Sequence, residues 1–96
     1  MTVIVKIAKN VGDPPRKLAE AELHFVDGPL EGTKLVGFAV WEDAPGKRNV
    51  TVPARQYKLS GEQRRFALLR PITDDAAMAR VRAFILEAYA AWEATQ

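Results

Sequence analysis

Polar and apolar positions alternate along most of the first 70 residues, and then the period changes. In residues 2–8, Val3, Val5 and Ile7 fall on one side and Ile4, Lys6 and Ala8 on the other, which predicts a strand. Asn10 to Pro15 is a turn cluster, because Pro14 and Pro15 have no N–H for a ladder. Residues 17–26 alternate again. Ala19, Ala21, Leu23 and Phe25 face one way, and Glu20, Glu22 and His24 the other, as in a half-buried antiparallel strand. Residues 34–42 are apolar on both faces, with Val36, Phe38 and Val40 opposite Leu35, Ala39 and Trp41. Such a strand is central or sits in an interface, and Gly37 inside it marks a bulge or a close backbone approach.

A hairpin-type loop over residues 43–48 leads to a short strand, 49–52, that ends at Pro53. Residues 54–63 read as a polar connection with a turn at Ser60-Gly61, and residues 64–69 as a strand stopped by Pro71. Beyond it, Met78, Val81, Ile85, Ala88 and Trp92 recur at three- and four-residue steps, and Phe84 and Tyr89 widen that apolar face. The spacing predicts a helix over about residues 74–93, ~30 Å long at 1.5 Å per residue. Thr73 or Asp74 is placed to cap its first free N–H groups. Five strands followed by one long helix that covers them make an α+β domain, and 96 residues suffice for one such domain spanning 1–96.

Charge changes the picture more than composition does. Lys47, Arg48, Arg55, Lys58, Arg64, Arg65 and Arg70 are seven of the fourteen Lys and Arg, and between residues 47 and 70 only Glu62 opposes them. That stretch carries +6, whereas the other 72 residues, with seven positive and eleven negative side chains, carry −4. A polarised distribution of this kind makes a polyanion the first partner to consider, and nucleic acid is the commonest. Tyr57 and Phe66 are the aromatics placed to stack on bases, with Trp41 behind them. Phe66 alternates with Arg65 and Ala67, which favours core packing for it, and Tyr57 in the polar connection is the exposed stacker. Trp41 and Trp92 are expected in the core or in a dimer interface. If strands 49–52 and 64–69 pair, Arg55 and Arg64 lie at one loop end and Lys47 and Arg48 at the other. The competing reading of the same residues is a solvated surface.

Other chemistry finds little support. The chain has no cysteine, which excludes a disulfide scaffold, a thiolate metal site and a cysteine nucleophile. His24 is the one histidine, and Glu22 and Val26 beside it supply no nucleophile, so it reads as a sheet-surface residue. Adjacent carboxylates on a helix do not face each other; capping accounts for Asp74-Asp75, and turn chemistry for Glu42-Asp43. Gly28-Pro29-Leu30-Glu31-Gly32 lacks the following Lys-Ser/Thr of a phosphate loop. No catalytic residue, metal site or cofactor is expected. The N-terminus has no long apolar core and no run reaches the ~18 apolar residues of a membrane span, so the expected place is the cytoplasm.

Three segments carry a family resemblance: Val50-Thr51-Val52-Pro53-Ala54-Arg55, Arg64-Arg65-Phe66-Ala67-Leu68-Leu69-Arg70-Pro71-Ile72 and Phe84-Ile85-Leu86-Glu87-Ala88-Tyr89. With the apolar strand before them, they make the chain from Leu23 to Tyr89 resemble the SpoVG family (stage V sporulation protein G). The resemblance implies a small sheet with a C-terminal helix, a homodimer, and a bacterial regulatory protein that binds DNA or RNA. The family's basic residue two places after the strand-ending proline matches Arg55, whereas the next position, usually basic, is Gln56. The family's basic helix start is here Asp74-Asp75-Ala76-Ala77, which repels phosphate and moves the expected contact to the loops. The alternative is a protein-interaction module that uses the apolar strand 35–41 by a face or an edge.

Overall fold

The computed structural model describes residues 1–96. It holds six strands, β1 (Val3–Lys9), β2 (Lys17–Phe25), β3 (Thr33–Ala44), β4 (Lys47–Thr51), β5 (Ala54–Leu59) and β6 (Glu62–Ala67), then one helix, α1 (Ala76–Ala94). The first four form an antiparallel sheet in the order β1-β2-β3-β4, and β5 and β6 form a separate two-stranded ribbon. The fold is α+β, with six strands where five were expected. The polar connection expected over 54–63 is strand β5, the ribbon's turn and the first two residues of β6. The expected pairing of 49–52 with 64–69 does not form either, because β4 pairs with β3 and β6 with β5.

One face of the sheet makes the core. Ala19, Ala21, Leu23, Phe38, Val40 and Val50 are buried there against Ile85 and Tyr89 of α1. The helix packs on β4 and β1, so it spans the sheet from one edge strand to the other. Val81, Leu86 and Trp92 flank the contact, whereas Phe84 turns to solvent, 43% exposed. Each fully buried Phe, Val or Ile side chain contributes about 1.5–3 kcal/mol. The N-cap of α1 is Asp75, not Thr73 or Asp74, and its side chain makes no capping bond; Asp74, one residue before it, accepts the Ala76 N–H on Oδ1 at 2.9 Å. No helix is long and apolar enough to cross a membrane.

Strand β3 is central, as its two apolar faces require, but its alternation is interrupted. Ala21 pairs with Phe38 and Leu23 with Leu35, so Val36 and Gly37 together face one residue of β2. This bulge returns Leu35 to the core side with Phe38 and Val40, and leaves Val36 50% exposed. Gly37 meets both reasons for a glycine in a strand. Its φ is +108°, and an added Cβ would stand 3.1 Å from Pro53 Cβ. The same proline is buried where the chain leaves the sheet for the ribbon.

Candidate nucleic-acid interface

The ribbon β5–β6 stands apart from the sheet. Its turn, Ser60-Gly61, has φ +53° and +81°, the left-handed pair that lets a two-residue loop follow strand twist. At its base the Leu68 N–H donates to the Pro53 carbonyl at 2.9 Å, which continues the pairing one step beyond the strands. Between these ends no residue is buried. The register sets two faces. Gln56 opposite Arg65 and Lys58 opposite Gln63 share one face, with Ala54 and Ala67 at its base. Arg55 opposite Phe66, Tyr57 opposite Arg64 and Leu59 opposite Glu62 share the other. Gln63 Nε2 donates to Gln56 Oε1 at 2.7 Å on the first face, and Arg64 pairs with Glu62 at 3.1 Å on the second.

Four of the seven expected basic residues, Arg55, Lys58, Arg64 and Arg65, are therefore on the ribbon, and all are exposed. Arg70 follows it and folds back, its guanidinium 4.2 Å from the Phe66 ring centroid. That geometry is a cation–π contact. Phe66 is not core, contrary to expectation. The ribbon has no second layer to pack against, so the ring is 41% exposed beneath Arg70. Tyr57 is 40% exposed, as expected for a stacker, but it lies on a strand and not in a loop. Lys47 is exposed at the β3–β4 turn, away from the ribbon strands.

Arg48 departs most from the expectation. Strand parity puts it on the core side with Val50, and there it pairs with Glu42 across the hairpin and with Glu93 of α1 at 3.1 Å. Its guanidinium also lies 5.8 Å from the Tyr89 ring centroid. Burial works to lower the Arg48 pKa, but Glu93 and Glu42 outweigh it and the net shift is upward. The Tyr89 hydroxyl donates to Glu93 at 3.1 Å, and burial with that carboxylate raises its pKa. Arg48 is thus occupied in joining helix to sheet. Glu42, read as a turn residue, does accept the turn's Gly46 N–H at 3.4 Å, but its main partner is Arg48.

His24 lies on the open face of the sheet, 2.9 Å from Glu22 Oε1, and Lys34 approaches the same carboxylate at 3.3 Å. Trp41 is half-buried on that face, with its Nε1–H donated to Thr51 Oγ1 at 2.8 Å. Trp92 packs at 5.7 Å against Tyr89. One residue escaped the sequence reading. Arg82 of α1 lines a groove of about 490 Å³ together with Arg65 at the ribbon's base. Its signal was the step from Val81: one residue along a helix is 100° around it, which carries Arg82 off the apolar stripe towards β4. Comparison of the chain with family models, curated proteins and solved structures returns no match.

Proposed function

We propose that this chain is a small SpoVG-like bacterial regulatory protein that binds DNA or RNA through the β5–β6 ribbon and acts as a homodimer, without catalysis. One observation carries the reading. A two-stranded ribbon with both faces in solvent presents Arg55, Lys58, Arg64 and Arg65, with Tyr57 between them and Glu62 as its one acid. A two-stranded ribbon is of a size to enter a major groove, and an exposed tyrosine among arginines suits stacking on unpaired bases. Arg70 and Lys47 extend the positive field, and a second copy would double it. The acidic helix start at Asp74 and Asp75 turns phosphate away from α1's N-terminus, so the ribbon is the contact.

The test is fluorescence anisotropy with labelled single- and double-stranded DNA and RNA across a salt series. Five phosphate contacts give a log–log slope near −4.5 on duplex, or roughly a 500-fold loss between 50 and 200 mM salt. Changing Arg55→Glu with Arg64→Glu is expected to weaken binding more than tenfold while the melting temperature holds. Full binding by that double variant would sink the assignment to the ribbon.

A protein-interaction reading has its own support. Leu68 and Ile72, just beyond the ribbon, are 60% and 98% exposed. An interface built on them would change little with salt, so the same titration separates the two.

A further inference from the structure

The groove beside β4 differs in charge from two other clefts of the molecule. It is lined by Arg65 and Ala67 of β6 and Arg82 of α1 together with Val50, Val52 and Ala54. No carboxylate lines it. The cleft under Pro71 mixes Arg70 and Arg80 with Asp74, and the cleft at the C-terminal end of α1 mixes Lys9 with Glu93. Arg65 and Arg82 have no ion-pair partner within 4 Å, unlike Arg48 and Arg64. Two exposed, unneutralised arginines lining one groove favour an anion there.

We propose that this groove is the seat of a single-stranded segment of nucleic acid, with Arg82 of the helix and Arg65 of the ribbon holding successive phosphates. The proposal rests on the ribbon reading above and adds a helix residue and a strand preference to it. The register supports the path. Arg65 and Ala67 share a ribbon face with Gln56, Lys58 and Gln63, so the groove continues along the ribbon as a polar track without an acid. From Ala54 to Lys58 that track covers ~13 Å at 3.3 Å per residue, the length of about four stacked nucleotides at 3.4 Å per strand step. A concave cleft between helix and ribbon receives one strand, whereas a duplex is met by a convex ribbon entering its groove.

Two other occupants fit less well. β4 is an edge strand, and an added protein strand would need its free backbone donors. The Val50 N–H already donates to Asn49 Oδ1 at 2.9 Å, which removes one of them. A second copy docked here about a twofold axis would bring two sets of Arg65 and Arg82 together, and like charges repel. An anionic chain removes that repulsion.

Arg82→Ala tests the site, with Arg80→Ala as a control of equal charge change, since Arg80 is exposed and lines the cleft under Pro71. Anisotropy with a labelled twelve-nucleotide oligothymidylate is read across a salt series, with circular dichroism to confirm the helix. The expected result is a log–log slope shallower by about 0.7 for Arg82→Ala, the loss of one single-strand phosphate contact, and an affinity lower by about tenfold. Arg80→Ala keeps the wild-type slope. If Arg82→Ala and Arg80→Ala behave alike while the Arg55→Glu, Arg64→Glu variant loses binding, the groove is overturned and the ribbon reading stands. If wild type binds no probe at ~50 mM salt, where phosphate contacts are strong, both are overturned.

Discussion

The four-stranded sheet and the two-stranded ribbon are both antiparallel, yet one has a covered face and the other has none. In the sheet, α1 lies over one side and Ala19, Ala21, Phe38, Val40 and Val50 lose almost all contact with water. In the ribbon, Tyr57, Leu59 and Phe66 remain 40–53% exposed and the strands pack chiefly against each other. An isolated hairpin is marginal in water, so the ribbon depends on its tight turn and on its attachment at Pro53 and Leu68. The shape registers the difference. The radius of gyration is 14.6 Å, against about 12.5 Å for a compact chain of this length. Keeping a charged ribbon out of the core leaves its arginines in solvent, at the cost of local stability.

The largest expected effect separates the two regions directly. Ile85→Ala removes a side chain that is fully buried between helix and sheet, and is expected to cost about 2–5 kcal/mol. Phe66→Ala in the ribbon removes an exposed ring and its contact with Arg70, worth about 0.5–1 kcal/mol. Urea unfolding of both variants makes the comparison. Equal losses would mean that the ribbon is welded into the cooperative unit and that sheet and ribbon are not separate regions of stability.

That division also explains what the sequence could and could not reveal. β1, β2 and α1 were legible because each has a wet face and a dry face, and β3 because it is apolar on both, although only one of its faces is covered; burial writes that asymmetry as a period. β5 was not, because Arg55-Gln56-Tyr57-Lys58 serves two wet faces and so has no apolar alternation to detect. Without a visible β5, the period offers strand 49–52 only 64–69 as a partner, and the alternation at Phe66 points to a core that does not reach it. The basic residues of the candidate site were legible as a cluster, but not their directions. Arg48 and Val50 are two apart on a strand, which places both on one face; Glu93, 45 residues away, was beyond any local signal.

Arg48 sharpens the comparison at a smaller scale, since Arg48 and Arg64 both form ion pairs but in different regions. Arg48 is 28% exposed and touches Glu42, Glu93 and Tyr89. Arg64 and Glu62 are 52% and 71% exposed. Exposed pairs are worth about 0–1 kcal/mol, and leaving buried charges unpaired costs more. Arg48→Ala is therefore expected to destabilise by about 1–2 kcal/mol and to change nucleic-acid affinity less than twofold. Arg64→Ala should do the reverse, with little effect on unfolding and a loss of binding. A large binding loss from Arg48→Ala at unchanged stability would return Arg48 to the interface.

The smallest effect is the response to acid, and it belongs to the sheet. Glu22 is held below its ordinary value of 4.5, first by the hydrogen bond with His24 and then by Lys34, with partial desolvation working the other way. Asp27 is lowered in the same direction by hydrogen bonds from Thr2, including the Thr2 N–H at 2.6 Å. A carboxylate whose folded-state pKa is lowered adds stability above its unfolded value and loses it as pH falls through the folded one. The sheet's melting temperature should thus hold from pH 7 to about 4.5 and decline below. Glu22→Gln removes one of the two contributions. Its melting temperature should lie below that of wild type at pH 7, and the gap should narrow as the pH falls towards 3, because protonation then deprives wild type of the same charge. A gap that stays constant down to pH 3 would show that Glu22 acts through packing alone. The ordering of the sheet by Glu22, His24 and Lys34 would then not depend on charge.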